Sequence, residues 1–566
     1  MSTQDSVDTS RVGTTETNGS TPSTTNAEPS NTNKPKMRVI DPIPIDDDDE
    51  NQPLLGRNVD PLDPLVSPLN LRKIRILRDI AIGLLAINCI LFIFLLISDF
   101  VAIPGFFNRG KSFLEMDLVL IAGLANLITI WYFDVPATYE RIVGYITTAL
   151  LVIDFIVIFS IPTFRDKLGL FGTFIMIWTS GNFLYDSIAN YLVEKARDYQ
   201  EIRYTGRIET RRSIKELIII LTKVIFKLML ILLIWNISLT LWIGAFDTHE
   251  KPWGDMISVN DDKFKVHLSC YGPVTGELKD GEPDKKRQPI VLVEGGQLTS
   301  SEVFQEWIEE LYHLDKIERY CIWDRPGYGW SDSAPSPVSL GIITEYLLEA
   351  LHAKGIEGPF SLVGFDIGGL YARLFASRNP GKIHSLLFVD SWHEDLLKGN
   401  PFSGSNRKNE SKKVFKNILE LMNVRTGLKL WLKGVISPLG INQNIHWFFH
   451  PRRYSSRSRI YGSDMYYSSK YIRARLQEQV TSGILSYSEV KGADIHDLPV
   501  SVISSDFMIK NSLNWGKWQR EISKLSSNTL EWVIAENSNH FIWNSPKGKE
   551  QLQQLLLRLV SEKSNY

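Results

Sequence analysis

Between residues 80 and 244 the chain carries five apolar runs, at 80–98, 118–133, 142–161, 168–188 and 224–244. The first is unbroken for about 19 residues, enough to cross a hydrocarbon core of ~30 Å. A water-soluble core would have to bury all five within about 170 residues, so the expected structure is a membrane bundle of about five helices. The fourth run is the weakest, because Asn182 and Asp186 lie near its end. Asp154 falls inside the third run, where an unpaired carboxylate is costly. It reads either as a proton or ligand site or as half of an interhelical pair, with Lys223 or Lys227 as partner. There is no internal repeat and no matched pair of broken helices of the kind that marks a transporter.

Basic residues orient the bundle. Arg72, Lys73, Arg75 and Arg78 precede the first run, and Lys195, Arg197, Arg203, Arg207, Arg211, Arg212 and Lys215 lie between the fourth and fifth. Both groups belong on the cytosolic side by the positive-inside rule, and a fifth crossing then delivers everything after residue 250 to the lumenal or exterior face. If the fourth run fails to span, that conclusion reverses. Residues 1–68, rich in Ser, Thr, Asn, Asp and Pro, read as a disordered cytosolic tail without the features of a cleaved signal peptide. Within it Glu50-Asn51-Gln52-Pro53-Leu54-Leu55 fits an acidic-dileucine sorting signal, so a sorting adaptor at Leu54 and Leu55 and a vacuolar or other endomembrane destination are expected, with a mitochondrial membrane as the alternative.

Averaged over 566 residues, a net charge of -2 and 44% hydrophobic content give no bias toward nucleic acid. The 3 cysteines show no zinc-type spacing, and neither a phosphate loop nor a dinucleotide fingerprint occurs, so no metal and no cofactor are expected.

The second half alternates β-rich and helical stretches, and its chemistry centres on Gly364-Phe365-Asp366-Ile367-Gly368. The pattern is G-x-S-x-G with aspartate in the serine's place, preceded by an apolar run at 359–363 and followed by helical periodicity at 370–377. A carboxylate that attacked an acyl group would leave a reactive mixed anhydride, so Asp366 is better suited to an epoxide or activated alkyl carbon. Further strands are expected at 289–293, ending in Glu294-Gly295-Gly296-Gln297, and at 319–323, ending in Asp324-Arg325-Pro326-Gly327-Tyr328-Gly329-Trp330-Ser331. Others are expected at 383–389, closed by Asp390, at 499–505, closed by Asp506, and at 529–535, followed by Asn537-Ser538-Asn539-His540.

Through the Asp-Arg-Pro-Gly-Tyr-Gly-Trp-Ser turn, the Gly-Phe-Asp-Ile-Gly-Gly elbow and the Asn-His-Phe-Ile loop, residues 253–566 resemble the α/β-hydrolase superfamily. Hydrophobic helices placed ahead of such a domain make the whole chain similar to a fungal family of integral-membrane α/β-hydrolase-like proteins. The resemblance implies a doubly wound, mostly parallel sheet over 251–566 with a helical lid at about 394–497. It implies Asp366 as nucleophile, His540 as base, Asp506 as the acid orienting the imidazole with Asp390 as its rival, and Gly295, Gly296, Gln297 and Ile367 as the oxyanion or binding loop. The chain departs from epoxide hydrolases in lacking His-Gly-x-Pro after the third strand, and from haloalkane dehalogenases in carrying Ile367 where a halide-binding Trp would stand. Ring-opening acids would come from Tyr454, Tyr461, Tyr466, Tyr467 or Tyr471 of the lid. In this fold the strands bearing Cys270 and Cys321 are neighbours; two buried free thiols are expected, with a disulfide as the alternative.

The lid stretches at 431–436 and 445–453 mix aromatic and basic residues, and read either as a membrane-interface surface or as packing onto the core. Asn409-Glu410-Ser411 is a glycosylation sequon. The sequence thus points to a membrane-anchored hydrolase of a small apolar or lipid-like ester or epoxide, or to a catalytically degenerate binding or scaffold module. It is silent on oligomeric state.

Overall fold

The computed structural model describes residues 66–562, apart from 102, 105, 107–112, 207, 209–211, 276–287, 298–300, 399–423, 450–455 and 513. Leu54 and Leu55, the sequon at Asn409, Tyr454 and almost all of the expected tail therefore lie outside the described residues.

The apolar runs form helices α1 (Arg72–Ser98), α2 (Leu114–Trp131), α3 (Thr138–Ser160), α4 (Pro162–Thr205) and α5 (Ile214–Asp247), all 5 long and apolar enough to cross a membrane. Pro162 opens α4 at a position where a missing N–H costs nothing, and Gly206, in the left-handed region, closes it. Gly169 (φ 71°) kinks α4 near its start. The Ser213 hydroxyl caps α5 by accepting from the Glu216 N–H at 3.2 Å.

The polar residues that weaken the fourth run find partners inside the bundle. Asn182 Oδ1 accepts from Asn88 (3.0 Å) and Asn126 (2.7 Å), and the Trp178 indole donates to Asn88 at 2.7 Å. Lys227 pairs with Asp186 and Lys223 with Glu140, each at 2.7 Å and fully buried. The expected pairing of Asp154 with one of these lysines does not occur. Both are already held by Glu140 and Asp186, and Asp154 instead accepts from the Ser238 hydroxyl of α5 at 2.5 Å.

Ile74 and Ala81 of α1 share an apolar cluster with Val193 and Ala196 of α4, so the two basic segments lie at one end of the bundle. At the other end Leu95, Phe113, Phe164 and Leu168 share a cluster with Leu430 and Leu476 of the α/β half.

That half contains β1 (Asp255–Val259), β2 (Phe264–Tyr271), β3 (Ile290–Glu294), α6 (Ser301–His313), β4 (Tyr320–Asp324), α7 (Leu340–Ala353), β5 (Phe360–Phe365), α8 (Gly368–Arg378) and β6 (Ile383–Val389). Lid helices α9 (Val424–Ile436), α10 (Ile441–Phe449), α11 (Ser456–Ile460), α12 (Ser469–Thr481) and α13 (Tyr487–Lys491) follow. The chain then completes the sheet through β7 (Val500–Ser505), α14 (Asp506–Asn511), α15 (Trp515–Ile522), β8 (Thr529–Ala535) and α16 (Pro546–Ser561). Eight strands run in the order β1-β2-β4-β3-β5-β6-β7-β8. β1 and β2 are antiparallel and every pairing from β4 to β8 is parallel. The central strands are buried on both faces, as parallel strands sandwiched by helices must be.

The expectation of two free thiols is overturned. β2 and β4 pair in a register that sets Cys270 opposite Cys321, with Cα atoms 4.1 Å apart, and the two are joined as a disulfide.

Candidate active site

β5 hands the chain to α8 through a turn in which Asp366 takes φ 55°, the left-handed conformation that thrusts its side chain above the sheet. The flanking glycines are required by close approach. A Cβ on Gly364 would stand 2.6 Å from Gly369 Cα, and one on Gly368 would stand 2.3 Å from Glu294 O.

His540, in the loop after β8, faces Asp366 and Asp390 together. Its Nδ1 is 2.6 Å from Asp390 Oδ2 and its Nε2 is 3.4 Å from Asp366 Oδ1. The ring packs on Phe365 at 4.7 Å and edge-on to Trp515 at 6.0 Å. Asp390 is fully buried at the end of β6, where it also accepts from Trp515 Nε1 (2.7 Å) and the Ser505 N–H (3.1 Å). Burial disfavours the imidazolium, but the two carboxylates outweigh it and raise the His540 pKa to about 10. Burial raises the Asp390 pKa, and the bond to His540 offsets part of that rise.

The structure thus sets Asp390, and not Asp506, against the histidine. Asp506 begins α14 and turns outward, where it accepts from Lys510 at 2.8 Å and from the Ser538 N–H at 3.2 Å. The lysine bond holds its carboxyl below the usual range.

In the loop after β3 the Gln297 N–H donates to Asp366 Oδ2 at 2.8 Å. Gly295 and Gly296 contribute carbonyls instead, which accept from the Arg325 guanidinium, the Gly296 bond at 3.0 Å. Ile367 is buried at the head of α8.

Arg325, Tyr328, Tyr371 and Glu478, which sequence reasoning gave no role, knit the lid to this loop. Glu478 of α12 accepts from Gln297 Nε2 (3.1 Å), Tyr328 (3.1 Å) and Tyr371 (3.0 Å), and lies 3.6 Å from Arg325 Nε. Burial raises the pKa of Glu294, beside Arg325, to about 7. The spacing of Tyr471, Arg475 and Glu478 on one helical face was the available signal. Of the lid tyrosines, Tyr471 reaches the loop, its hydroxyl donating to Gln297 O at 2.7 Å. Tyr466 packs on Tyr471, Tyr461 packs on Trp253, and Tyr467 is half exposed.

The other face of α12 belongs to the helix bundle. Leu476 is fully buried in the bundle's core cluster, and Arg473 Nη1 lies 3.7 Å from Asp99 Oδ1 at the end of α1. Among the described residues no group of three or more His, Cys, Asp or Glu is arranged to hold a metal ion.

This strand order, with a side chain lifted on a left-handed strand-to-helix turn and a histidine presented after the last strand, defines an α/β-hydrolase-fold domain, here joined to five apolar helices. A family model described as alpha/beta hydrolase fold matches residues 288–416, and one described as a region of unknown function, DUF2417, matches residues 34–270. An uncharacterized vacuolar membrane protein of Saccharomyces cerevisiae is 32% identical over an alignment 561 residues long, which covers 85% of this chain and 86% of that protein. An uncharacterized protein of Schizosaccharomyces pombe is 28% identical over 518 residues, covering 86% and 90%. The chain belongs to this fungal family of membrane proteins with an α/β-hydrolase-fold domain. Among solved structures, an esterase from Thermogutta terrifontis covers 55% of this chain and 100% of its own at 15% identity and TM-score 0.35. An epoxide hydrolase from Vigna radiata covers 53% and 97% at 17% identity and TM-score 0.36.

Proposed function

We propose that this protein is a membrane-spanning hydrolase that opens an epoxide or comparably activated carbon in a small apolar or lipid-like molecule, using Asp366 and His540. The observation that carries this reading is the disposition of the two Asp366 oxygens, Oδ2 on the Gln297 N–H and Oδ1 toward His540. An ester substrate would need that N–H for its own carbonyl oxygen, whereas here it already serves the oxygen of Asp366.

In the proposed cycle Asp366 Oδ1 attacks a ring carbon, the C–O bond opens, and the departing oxygen takes a proton from the hydroxyl of Tyr471, the lid tyrosine that reaches the Gln297 loop. Esterification removes one of the two carboxylates that hold the imidazole protonated, so the imidazolium passes its proton back to the Tyr471 oxygen and His540 is left a neutral base beside Asp390. It takes a proton from water as the hydroxide adds to Asp366 Cγ, and the Gln297 N–H stabilises the oxyanion on Oδ2. Collapse expels the alkoxide, which takes the hydroxyl proton from the Asp366 carboxyl and restores the starting state.

The proposed site is on the lumenal side of a vacuolar or other endomembrane. The basic clusters at the opposite end of the bundle, the disulfide, the vacuolar relative and the Leu54–Leu55 signal support this. A second reading, a binding module without turnover, is favoured by the closure of Glu478, Tyr328 and Tyr371 over the loop.

Full-length protein incubated with a panel of apolar epoxides and esters separates the two. The His540→Gln variant should accumulate a covalent adduct on Asp366, read by peptide mass, and Asp366→Ala should show none. Folded wild type without turnover, together with folded His540→Gln without adduct, would leave the binding module.

A further inference from the structure

Helices α9 and α10 carry apolar stripes that none of the described residues covers. On α9, Leu428, Leu432 and Ile436 recur every fourth residue and are 53%, 50% and 55% exposed. On α10, Ile445, Phe448 and Phe449 are 48%, 73% and 67% exposed. The opposite faces are packed on the bundle. Leu430, Trp431 and Val435 enter its apolar core, and Gly434 meets the Phe113 ring so closely that a Cβ there would stand 2.2 Å from it. Gly440, just ahead of α10, approaches α5 so closely that a Cβ would stand 2.1 Å from Thr240 Oγ1. Asn444 Nδ2 is 3.4 Å from both Asn236 O and Asn236 Oδ1.

Depth follows from helix geometry. At ~1.5 Å per residue, Thr240 and Asn236 lie about 10 and about 16 Å inside the end of α5 at Asp247. That end is gripped by Arg459 of α11, whose Nε and Nη2 reach the Asp247 carboxylate at 2.9 and 2.5 Å. Beside the contact, the outward face of α5 presents Met229, Leu232 and Trp235 at 59%, 60% and 45% exposure. The α9 and α10 stripes thus extend the apolar surface of a helix that spans the bilayer in our reading.

We propose that α9 and α10 form a hairpin seated in the leaflet that borders the Asp247 end of α5. The stripes lie among acyl chains, and Lys429 and Lys433, exposed beside the α9 stripe, face lipid phosphates. The proposal rests on the spanning reading of α1 to α5 and adds that the lid itself is a lipid-bound element. Leu430 of α9 and Leu476 of α12 share one apolar cluster, so the leaflet is mechanically joined to the helix that carries Tyr471 and Glu478.

The test uses the full chain with Cys89→Ser and single cysteines at Leu432 or Phe448, spin-labelled and reconstituted in vesicles of phosphatidylcholine and phosphatidylserine. Collision with oxygen, which dissolves in lipid, is compared with collision with a water-soluble nickel complex. Ile90 of α1 (66% exposed) serves as the lipid reference and Leu314 of the α/β half (56% exposed) as the water reference. Labels at 432 and 448 should show the high oxygen-to-nickel ratio of Ile90. A ratio like that at Leu314, with Ile90 still lipid-like, overturns the hairpin alone. A water-like Ile90 overturns the spanning reading and the hairpin with it. Dipolar broadening that disappears on dilution with unlabelled protein would assign the stripes to a second copy of the chain and also overturn the proposal.

Discussion

His540 between Asp366 and Asp390 is one imidazole shared by two carboxylates, and the charge count governs its behaviour. Its pKa of about 10 lies above the ordinary 6.5, so its contribution to stability is fully present below 6.5 and is lost as pH rises through about 10. Melting temperature should therefore fall more steeply for wild type than for His540→Gln between about pH 7 and about pH 10.5, as followed by scanning calorimetry. Parallel slopes would mean that the imidazole is not held charged. The two acids separate equally cleanly. Asp390→Asn should cut turnover by roughly three or four orders of magnitude, since it removes the group that fixes the imidazole. Asp506→Asn, which disturbs an outward-facing bond to Lys510, should leave turnover within about twofold. Equal losses in the two variants would contradict the geometry. From sequence these acids looked alike, because each ends a β-rich run and β6 and β7 are neighbours ~4.8 Å apart. What distinguishes them is the direction each chain takes on leaving the sheet: at Asp390 φ is 42° and the side chain stays beneath His540, whereas Asp506 enters a helix that carries it toward Lys510.

Among the elements, those with strong period were legible. The strand at 529–535, ahead of the Asn-His-Phe-Ile loop, and the one at 383–389 match β8 and β6 residue for residue, and the other parallel strands begin one position later than expected. The helices were located by their apolar runs but not bounded by them. α4 continues to Thr205 because Arg197 bonds Glu201 and Glu216 at 2.7 Å each, an ion network that hydropathy does not register. Side-chain pairing inside the bundle was equally hidden, since Asp154 could be matched to a lysine only by ignoring Glu140 and Asp186. The Lys227–Asp186 pair gives a test. Lys227→Met should destabilise the bundle by about 3–5 kcal/mol by stranding a buried carboxylate, and adding Asp186→Leu should restore most of the loss while Glu140 keeps Lys223. Thermal unfolding in detergent measures both, and a double variant no more stable than the single would refute the pairing.

For the whole molecule, the basic segments at one end and the α/β half at the other fix a polarity along the bundle, and sidedness follows from which end is cytosolic. With the disulfide in an oxidising compartment, protease added to sealed vesicles should leave a protected C-terminally tagged fragment of about the size of the α/β half. Loss of the tag without detergent would reverse the orientation. Helix α12 has a consequence of another kind. Leu476 is in the bundle core, Arg473 is beside Asp99, and Glu478 lies in the site, so cutting the chain near residue 250 would open apolar surface and strand a buried guanidinium. The two halves are therefore expected to unfold in one cooperative transition, seen as a single calorimetric peak, and two separate peaks would contradict the coupling. By mass action, any molecule held at Asp366 raises the temperature at which the distant helices melt, and a cavity cut into those helices lowers the population able to bind it.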